Sequence, residues 1–191
     1  MEKLRTFIAI ELPDELKKRL EMLQEELKKD SGKASKISWA RPETIHLTLK
    51  FLGPVENQRL EEISEALKKA TRDIEKFTVK TRGIGGFPNL KNPRVVWVGM
   101  DGSEYLKKLY GNIEECMESA GFEREKRGFH PHLTLCRVKN PKDGKMLSER
   151  IEKLRTDISM DFQADSVVFF KSELKKGGAV HTELTRAAFK N

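Results

Sequence analysis

The sequence has few cysteines and no long apolar segment. Its 191 residues include only two cysteines, too few for a disulfide framework or a four-cysteine zinc site. No apolar run approaches the roughly 20 residues that a membrane-spanning helix needs. The first apolar stretch is interrupted by charge at Glu11, unlike a secretory signal. These absences argue against disulfide-rich, zinc-ribbon and membrane proteins, and we expect a soluble cytoplasmic chain.

The sequence has more basic than acidic residues. It contains 37 lysine and arginine residues against 30 aspartate and glutamate residues, for a formal net charge of +7. Such an excess attracts a polyanion such as RNA. A surface dense in lysine and glutamate is also typical of heat-adapted organisms. Composition alone leaves both explanations open and identifies no site.

Hydrophobic periodicity predicts a mixture of strands and helices. The predicted strands span residues 5–11, 45–52, 77–84, 94–98, 132–138, 166–170 and 180–189. Apolar stripes at helical spacing lie at residues 16–27, 60–70, 106–120 and 147–154. Residues 31–36 are predicted to form a basic loop, and residues 85–89, which begin with two glycines, to break the third strand. The strands and helices do not alternate strictly and no linker is evident, so we expect a single α+β domain over residues 1–191 with antiparallel sheets.

A short repeat is the most informative motif. His46-Leu47-Thr48-Leu49 recurs as His132-Leu133-Thr134-Leu135, and the two copies hold half of the four histidines in the chain. Each copy lies on a predicted strand, where residues two apart share a face. The histidine and threonine of each copy therefore point one way and the leucines point into the core. The sequence thus predicts two polar pairs held on rigid strands.

Two such pairs suit acid–base chemistry at a phosphodiester. An imidazole has an ordinary pKa near 6.5, so one ring can accept a proton from water while the other gives a proton to the leaving oxygen. Threonine hydroxyls can donate to the phosphate oxygens. Two alternatives stay open: the repeat is ordinary strand sequence, or the rings of His130 and His132 hold a metal. A metal usually takes three protein ligands, so His130 is the better candidate for a partner that orients His132.

These residues belong to longer blocks that resemble a known family. The blocks are residues 39–53 around His46, residues 86–89 with 93–99, residues 129–137 around His132, and residues 171–174. In this order and spacing the sequence resembles the RNA 2′,3′-cyclic phosphodiesterase (2′-5′ RNA ligase) family of the 2H phosphoesterase superfamily. The resemblance implies a bilobal fold of pseudo-two-fold, duplicated topology. In such a fold, two antiparallel sheets flank a central cleft and the helices lie outside.

The resemblance also implies roles for residues. His46 would be the proton donor to the leaving 3′ oxygen, His132 the proton acceptor that activates water, and Thr48 and Thr134 the phosphate-holding hydroxyls. The product would be a 2′-phosphomonoester, with 2′-5′ ligation as a minor reverse reaction. No metal or other cofactor is implied. The implied partner is RNA, with tRNA fragments that end in a cyclic phosphate as one example, and the implied state is a monomer.

Further positions are less well defined by the sequence. Arg137 matches an arginine of the family, but on an ideal strand it would face away from His132, so contact with phosphate requires a bulge or twist. Phe87 could stack on a base or belong to the core. His181 lies where relatives often have an aromatic residue, and Trp39 and Trp97 are expected in the core. Two other functions remain possible on this sequence: a non-catalytic RNA-binding module, or a phosphodiesterase that acts on a small cyclic nucleotide.

Overall fold

The fold was described from a computed structural model that covers residues 3–29, 36–101, 103–154 and 158–191. Most of the basic loop predicted at residues 31–36 lies outside these described residues. Within them the elements follow in the order β1 (Lys3–Glu11), α1 (Asp14–Lys28), β2 (Ile37–Trp39), β3 (His46–Glu56), α2 (Leu60–Thr71), β4 (Phe77–Phe87), β5 (Val95–Asp101), α3 (Glu104–Ser119), β6 (His132–Val138), α4 (Pro141–Lys153), β7 (Asp161–Ala164), β8 (Ser166–Lys175) and β9 (Gly178–Ala188).

The strands form two antiparallel sheets. One sheet has the order β3-β1-β8-β9 and the other the order β2-β6-β5-β4-β7. Each copy of the histidine repeat begins a strand, and the two copies lie on different sheets. The α+β class with two antiparallel sheets, predicted from the sequence, is confirmed.

The helices bury their apolar stripes against the sheets. Leu16, Leu20, Leu23 and Leu27 of α1 are at most 1% exposed, and burying a leucine side chain contributes about 1.5–3 kcal/mol. The Ser103 hydroxyl caps α3 by accepting from the Leu106 backbone N–H. One continuous core cluster includes residues from both sheets and from all four helices of the described ranges. The sheets are therefore held together by shared apolar packing.

A second, smaller cluster lies apart from this core. It consists of Phe7, Ala9, Val168 and Phe170 on β1 and β8. These residues alternate along their strands with Ile8 and Phe169, which belong to the main core. They therefore cover the opposite face of the first sheet, which is the face that carries His46.

The third predicted strand is longer than expected. The strand β4 continues through Gly85 and Gly86 to Phe87 instead of ending at the glycines. The ring of Trp97 on β5 lies across Gly85, where an added Cβ would be only 2.1 Å from the ring. Here glycine makes room for a neighbouring aromatic ring within a strand and does not mark a turn. Among the described residues no helix is both long and apolar enough to cross a membrane.

Candidate active site

His46 is oriented by the main chain just before it. Its Nδ1 lies 2.8 Å from the carbonyl oxygen of Thr44, which ends a short turn that begins at Pro42. A carbonyl can only accept a hydrogen bond, so Nδ1 carries the hydrogen. In the neutral ring, Nε2 then keeps its lone pair, and this is the nitrogen that remains for a substrate.

His132 is oriented in the same way. Its Nδ1 donates to the carbonyl oxygen of His130, two residues earlier, at 2.7 Å. The orienting partner expected at His130 is thus its main-chain carbonyl, while the His130 ring lies near Gly128. Both repeats therefore present an imidazole Nε2 from the first residue of a strand, with the same hydrogen bond behind it.

The threonines of the repeat lie beside the histidines as predicted. Thr48 is paired across the sheet with Ala9, and Thr134 with Trp97. Both are partly exposed, whereas the intervening leucines are buried. Within the described ranges neither hydroxyl is engaged by another protein group. Both hydroxyls are therefore free to donate to a ligand.

A bulge follows the repeat in both strands. On β6 the pairing with β5 shifts between Val96 and Trp97, and Leu135 and Cys136 are both buried. The extra residue brings Arg137 onto the face of Thr134 and His132, where it is exposed. The bulge that a contact between Arg137 and phosphate requires is therefore present. On β3 the corresponding pair, Leu49 and Lys50, is also buried.

Aromatic rings surround His46. Phe7 stacks on it with ring centroids 4.5 Å apart, and His181 lies edge-on at 5.2 Å. A cavity of about 250 Å³ opens beside these rings; its lining includes Arg41, Phe170 and Val180. Burial, with a smaller contribution from His181, lowers the pKa of His46 from 6.5 to about 4.

His132 has its own aromatic neighbours. The ring of Phe87 lies edge-on at 5.1 Å and that of Trp97 at 6.0 Å. Burial lowers the pKa of His132 below its ordinary value; the hydrogen bond to the His130 carbonyl opposes this effect, and the charges of His130 and Arg137 add to it. The expectation that Trp97 is a core residue was wrong: its ring is only partly buried and forms a wall beside His132. Trp39 packs against the main core, as expected, although it is not fully buried.

The two repeats approach each other across the sheets. The strands β3 and β6 contact one another although they belong to different sheets, and Leu47 and Leu133 share the main core. Each imidazole nevertheless has a separate aromatic shell, and the cavity beside His46 does not include His132 in its lining. The two strands are thus in contact and their leucines belong to one core, while the histidines lie on the strand faces turned away from that core.

His181 is the site residue to which sequence reasoning assigned no role. It lies on β9, at the opposite edge of the first sheet from β3, and its Nδ1 is buried without a hydrogen-bond partner among the described residues. Burial lowers the pKa of its imidazole, and Arg41 and Arg5 lower it further. The only signal in the sequence was that the family resemblance predicts an aromatic residue at this position.

Within the described part of the chain, no group of three or more histidine, cysteine, aspartate or glutamate side chains is placed to hold a metal ion. The rings of His130 and His132 therefore lack a third ligand of these types in the described ranges. This arrangement does not fit the three-ligand sites that metals usually occupy in proteins.

Comparison with known proteins agrees with the duplicated arrangement. The family model described as LigT like Phosphoesterase matches the chain twice, over residues 10–97 and 98–181. Each match contains one copy of the histidine repeat. Together the two matches cover most of the chain.

Curated relatives match over nearly their full length. A protein of Methanothermobacter thermautotrophicus named RNA 2′,3′-cyclic phosphodiesterase is 32% identical, with 95% of this chain and 97% of the relative covered. One of the same name from Thermotoga maritima is 34% identical, with 97% and 96% covered.

Solved structures match the fold as well. The protein TT0787 of Thermus thermophilus superposes with a TM-score of 0.78 at 25% identity, covering 97% of this chain and 98% of the other. E. coli LigT complexed with 3′-AMP gives a TM-score of 0.75 at 25% identity, with both chains fully covered.

Proposed function

The chain belongs to the LigT-like phosphoesterase family, and from this premise we propose that it hydrolyses RNA 2′,3′-cyclic phosphodiester ends to 2′-phosphomonoesters. Curated relatives of this name cover almost the whole chain. One observation carries the proposal: two imidazoles at the starts of contacting strands are each held through Nδ1 by a carbonyl two residues earlier. Both therefore offer Nε2 to a substrate, as acid–base catalysis at one phosphate requires.

The proposed reaction moves two protons. Nε2 of His132 accepts a proton from a water molecule, whose oxygen attacks phosphorus. The bond between phosphorus and the 3′ oxygen breaks, and His46 gives its Nε2 proton to that oxygen. The phosphate stays on the 2′ oxygen, and proton exchange with solvent then restores both rings. The assignment of donor and acceptor rests on the family resemblance.

In this proposal the threonines and Arg137 stabilise the negative charge of the phosphate. The free hydroxyls of Thr48 and Thr134 donate to the non-bridging oxygens, whose charge grows in the transition state. Arg137 reaches the same face through the bulge on β6 and adds a permanent positive charge. Phe87, beside His132, offers a ring face or edge to the base or ribose.

The reaction should be fastest below pH 6.5 when measured as kcat/KM. The donor must be protonated, so the rate falls as the pH rises above the higher of the two pKa values. The acceptor must be neutral, so the rate falls as the pH drops below the lower one. Burial lowers the pKa of His46 to about 4 and also lowers that of His132. The midpoint of the two values therefore lies below 6.5.

Initial rates between about pH 4 and about pH 9 on a cyclic-ended oligonucleotide test this expectation. A kcat/KM maximum above pH 7 would contradict the burial effect on the two rings. The profile of kcat should lie at higher pH than that of kcat/KM, because a bound phosphate favours the protonated imidazole.

The proposed reaction needs no metal, since two imidazoles supply both proton transfers. Purified protein in excess EDTA is expected to open the cyclic phosphate at the rate seen without EDTA. Product analysis should find the 2′-phosphate alone. A 3′-phosphate would reverse which oxygen leaves, and loss of turnover in EDTA would show that a metal takes part. RNA binding without any product would instead indicate a non-catalytic module.

The proposal extends to the substrate, the oligomeric state and the location of the protein. We propose RNA, including tRNA fragments with cyclic ends, as the substrate of a monomeric cytoplasmic enzyme. In water, 2′-5′ ligation should be the minor reaction, because a 5′-hydroxyl then has to take the place of water as the nucleophile that attacks phosphorus while the bond to the 3′ oxygen breaks.

A further inference from the structure

The two repeats differ in charge just beyond the shared bulge. On β3 the residue that follows the bulge on the histidine face is Phe51, and a second register shift places Gly53 opposite Thr6 on the other face. On β6 the equivalent position holds Arg137, and Lys139 comes two residues later, just beyond the strand. Phe51 is 67% exposed, with its ring 6.2 Å from that of Phe7. The residue that follows the bulge is thus apolar in the first repeat and positively charged in the second.

Two more cations lie at this end of the second sheet. The Lys139 backbone N–H donates to the Lys36 carbonyl at 3.2 Å, and the Val138 N–H donates to the Arg94 carbonyl at 2.9 Å. We call Lys36, Arg94, Arg137 and Lys139 the basic strip. All four are exposed. It begins on the face of β6 that carries His132 and Thr134 and continues to the end of the sheet.

The charges of the basic strip are not neutralised by the protein. In the described ranges, none of its four side chains forms an ion pair with a carboxylate. The Asp143 carboxylate lies beside the strip, where it accepts a hydrogen bond from the main-chain N–H of Lys36. Four unpaired positive charges in one region produce a strong local field for a polyanion.

Three cations near His46 are paired, by contrast, whereas Arg5 on β1 forms no ion pair among the described residues. Arg41 lies 3.5 Å from Glu43, and Lys171 lies 3.1 Å from Glu173. Arg186 is bound by both Glu11 and Glu183. Among the described residues, the exposed cations without an ion pair near the two histidines are therefore a cluster of four on the second sheet and Arg5 on the first.

We propose that the basic strip binds the phosphodiester backbone of the RNA nucleotides that precede the cyclic end. This inference rests on the proposed function, because it assumes that the reacting phosphate lies at the histidines. Arg137 lies on the same strand face as His132 and Thr134, and Lys139 follows two residues later, so a ligand that reaches the strip along this face is the continuation of the chain held there. The protein then acts on ends of oligonucleotides in preference to mononucleotides.

Charge reversal at the far end of the strip tests the proposal without touching the reacting groups. The test protein carries Lys36→Glu and Lys139→Glu. The matched control carries Lys69→Glu and Arg72→Glu, two exposed positions at the end of α2, which packs on the core face of the first sheet. Both double variants change the net charge equally. The substrates are a cyclic-ended RNA oligonucleotide and adenosine 2′,3′-cyclic phosphate.

The test variant is expected to raise KM for the oligonucleotide about tenfold while kcat and all constants for the mononucleotide stay near wild type. The slope of log KM against the logarithm of the salt concentration should decrease by about 1.4. Each lost contact to a phosphate of single-stranded RNA lowers this slope by about 0.7. The control variant should behave like wild type.

Two results would overturn the inference: an unchanged KM for the oligonucleotide, or an equal change in both double variants. The first would mean that RNA does not reach the strip, and the second that only total charge matters. Failure of the proposed function itself is distinguishable, because the wild-type protein would then hydrolyse neither substrate.

Discussion

The substitutions His46→Ala and His132→Ala are each expected to lower kcat on a cyclic-ended oligonucleotide by about 10²–10⁴, the usual contribution of general acid–base catalysis. KM should change little, because the phosphate oxygens are held by other groups. The double variant should be little slower than the slower single variant, since the two rings act as a unit in one step. Single-turnover rates and substrate binding, measured separately, check these expectations.

The matched control is His130→Ala. This variant removes an imidazole two residues from His132 but keeps the carbonyl that accepts from Nδ1 of His132. Its rate should stay within about threefold of wild type. Normal turnover in both His46→Ala and His132→Ala would refute the two-histidine mechanism, whatever the family relationship.

The substitution Lys50→Met is expected to destabilise the protein by about 3–5 kcal/mol. Lys50 is 5% exposed and Glu114 on α3 is 4% exposed. The Lys50 ammonium donates to both Glu114 carboxylate oxygens at 2.8 Å and to the Glu123 carbonyl at 2.9 Å. Removing one partner leaves the other charge buried without compensation. The free energy of unfolding from urea denaturation gives the measurement.

The double variant Lys50→Met with Glu114→Leu separates the cost of an unpaired charge from the loss of packing. It removes both charges, so it should recover most of the stability lost in the single variant. A single variant within about 1 kcal/mol of wild type would show that the buried pair contributes little. The Glu125 N–H also donates to Glu114, at 3.0 Å. A double variant less stable than the single one would show that Glu114 stabilises the protein mainly through this hydrogen bond.

Several elements of this fold were predictable because they depend on local pattern. The strand His132–Val138 has the predicted bounds, and the leucine stripe of α1 is buried as its spacing indicates. The strands β2 and β7 were missed, since segments of three and four residues are too short to show a period. The strand break predicted at residues 85–89 begins only after Phe87. Glycine in a strand suggests a break locally, whereas the Trp97 ring that requires Gly85 comes from another strand.

The sequence by itself determined which side chains stand on each strand face, because alternation along a strand is a property of the chain alone. It therefore identified the two histidine–threonine pairs and their leucine backing. Only the tertiary structure decided that Arg137 shares the face of His132, that Trp97 forms a wall of the site, and that His181 lies beside His46. The bulge next to Arg137 arises from pairing with β5, and the neighbours of each imidazole come from strands far apart in sequence. Such contacts depend on sheet register and packing, which no local pattern encodes.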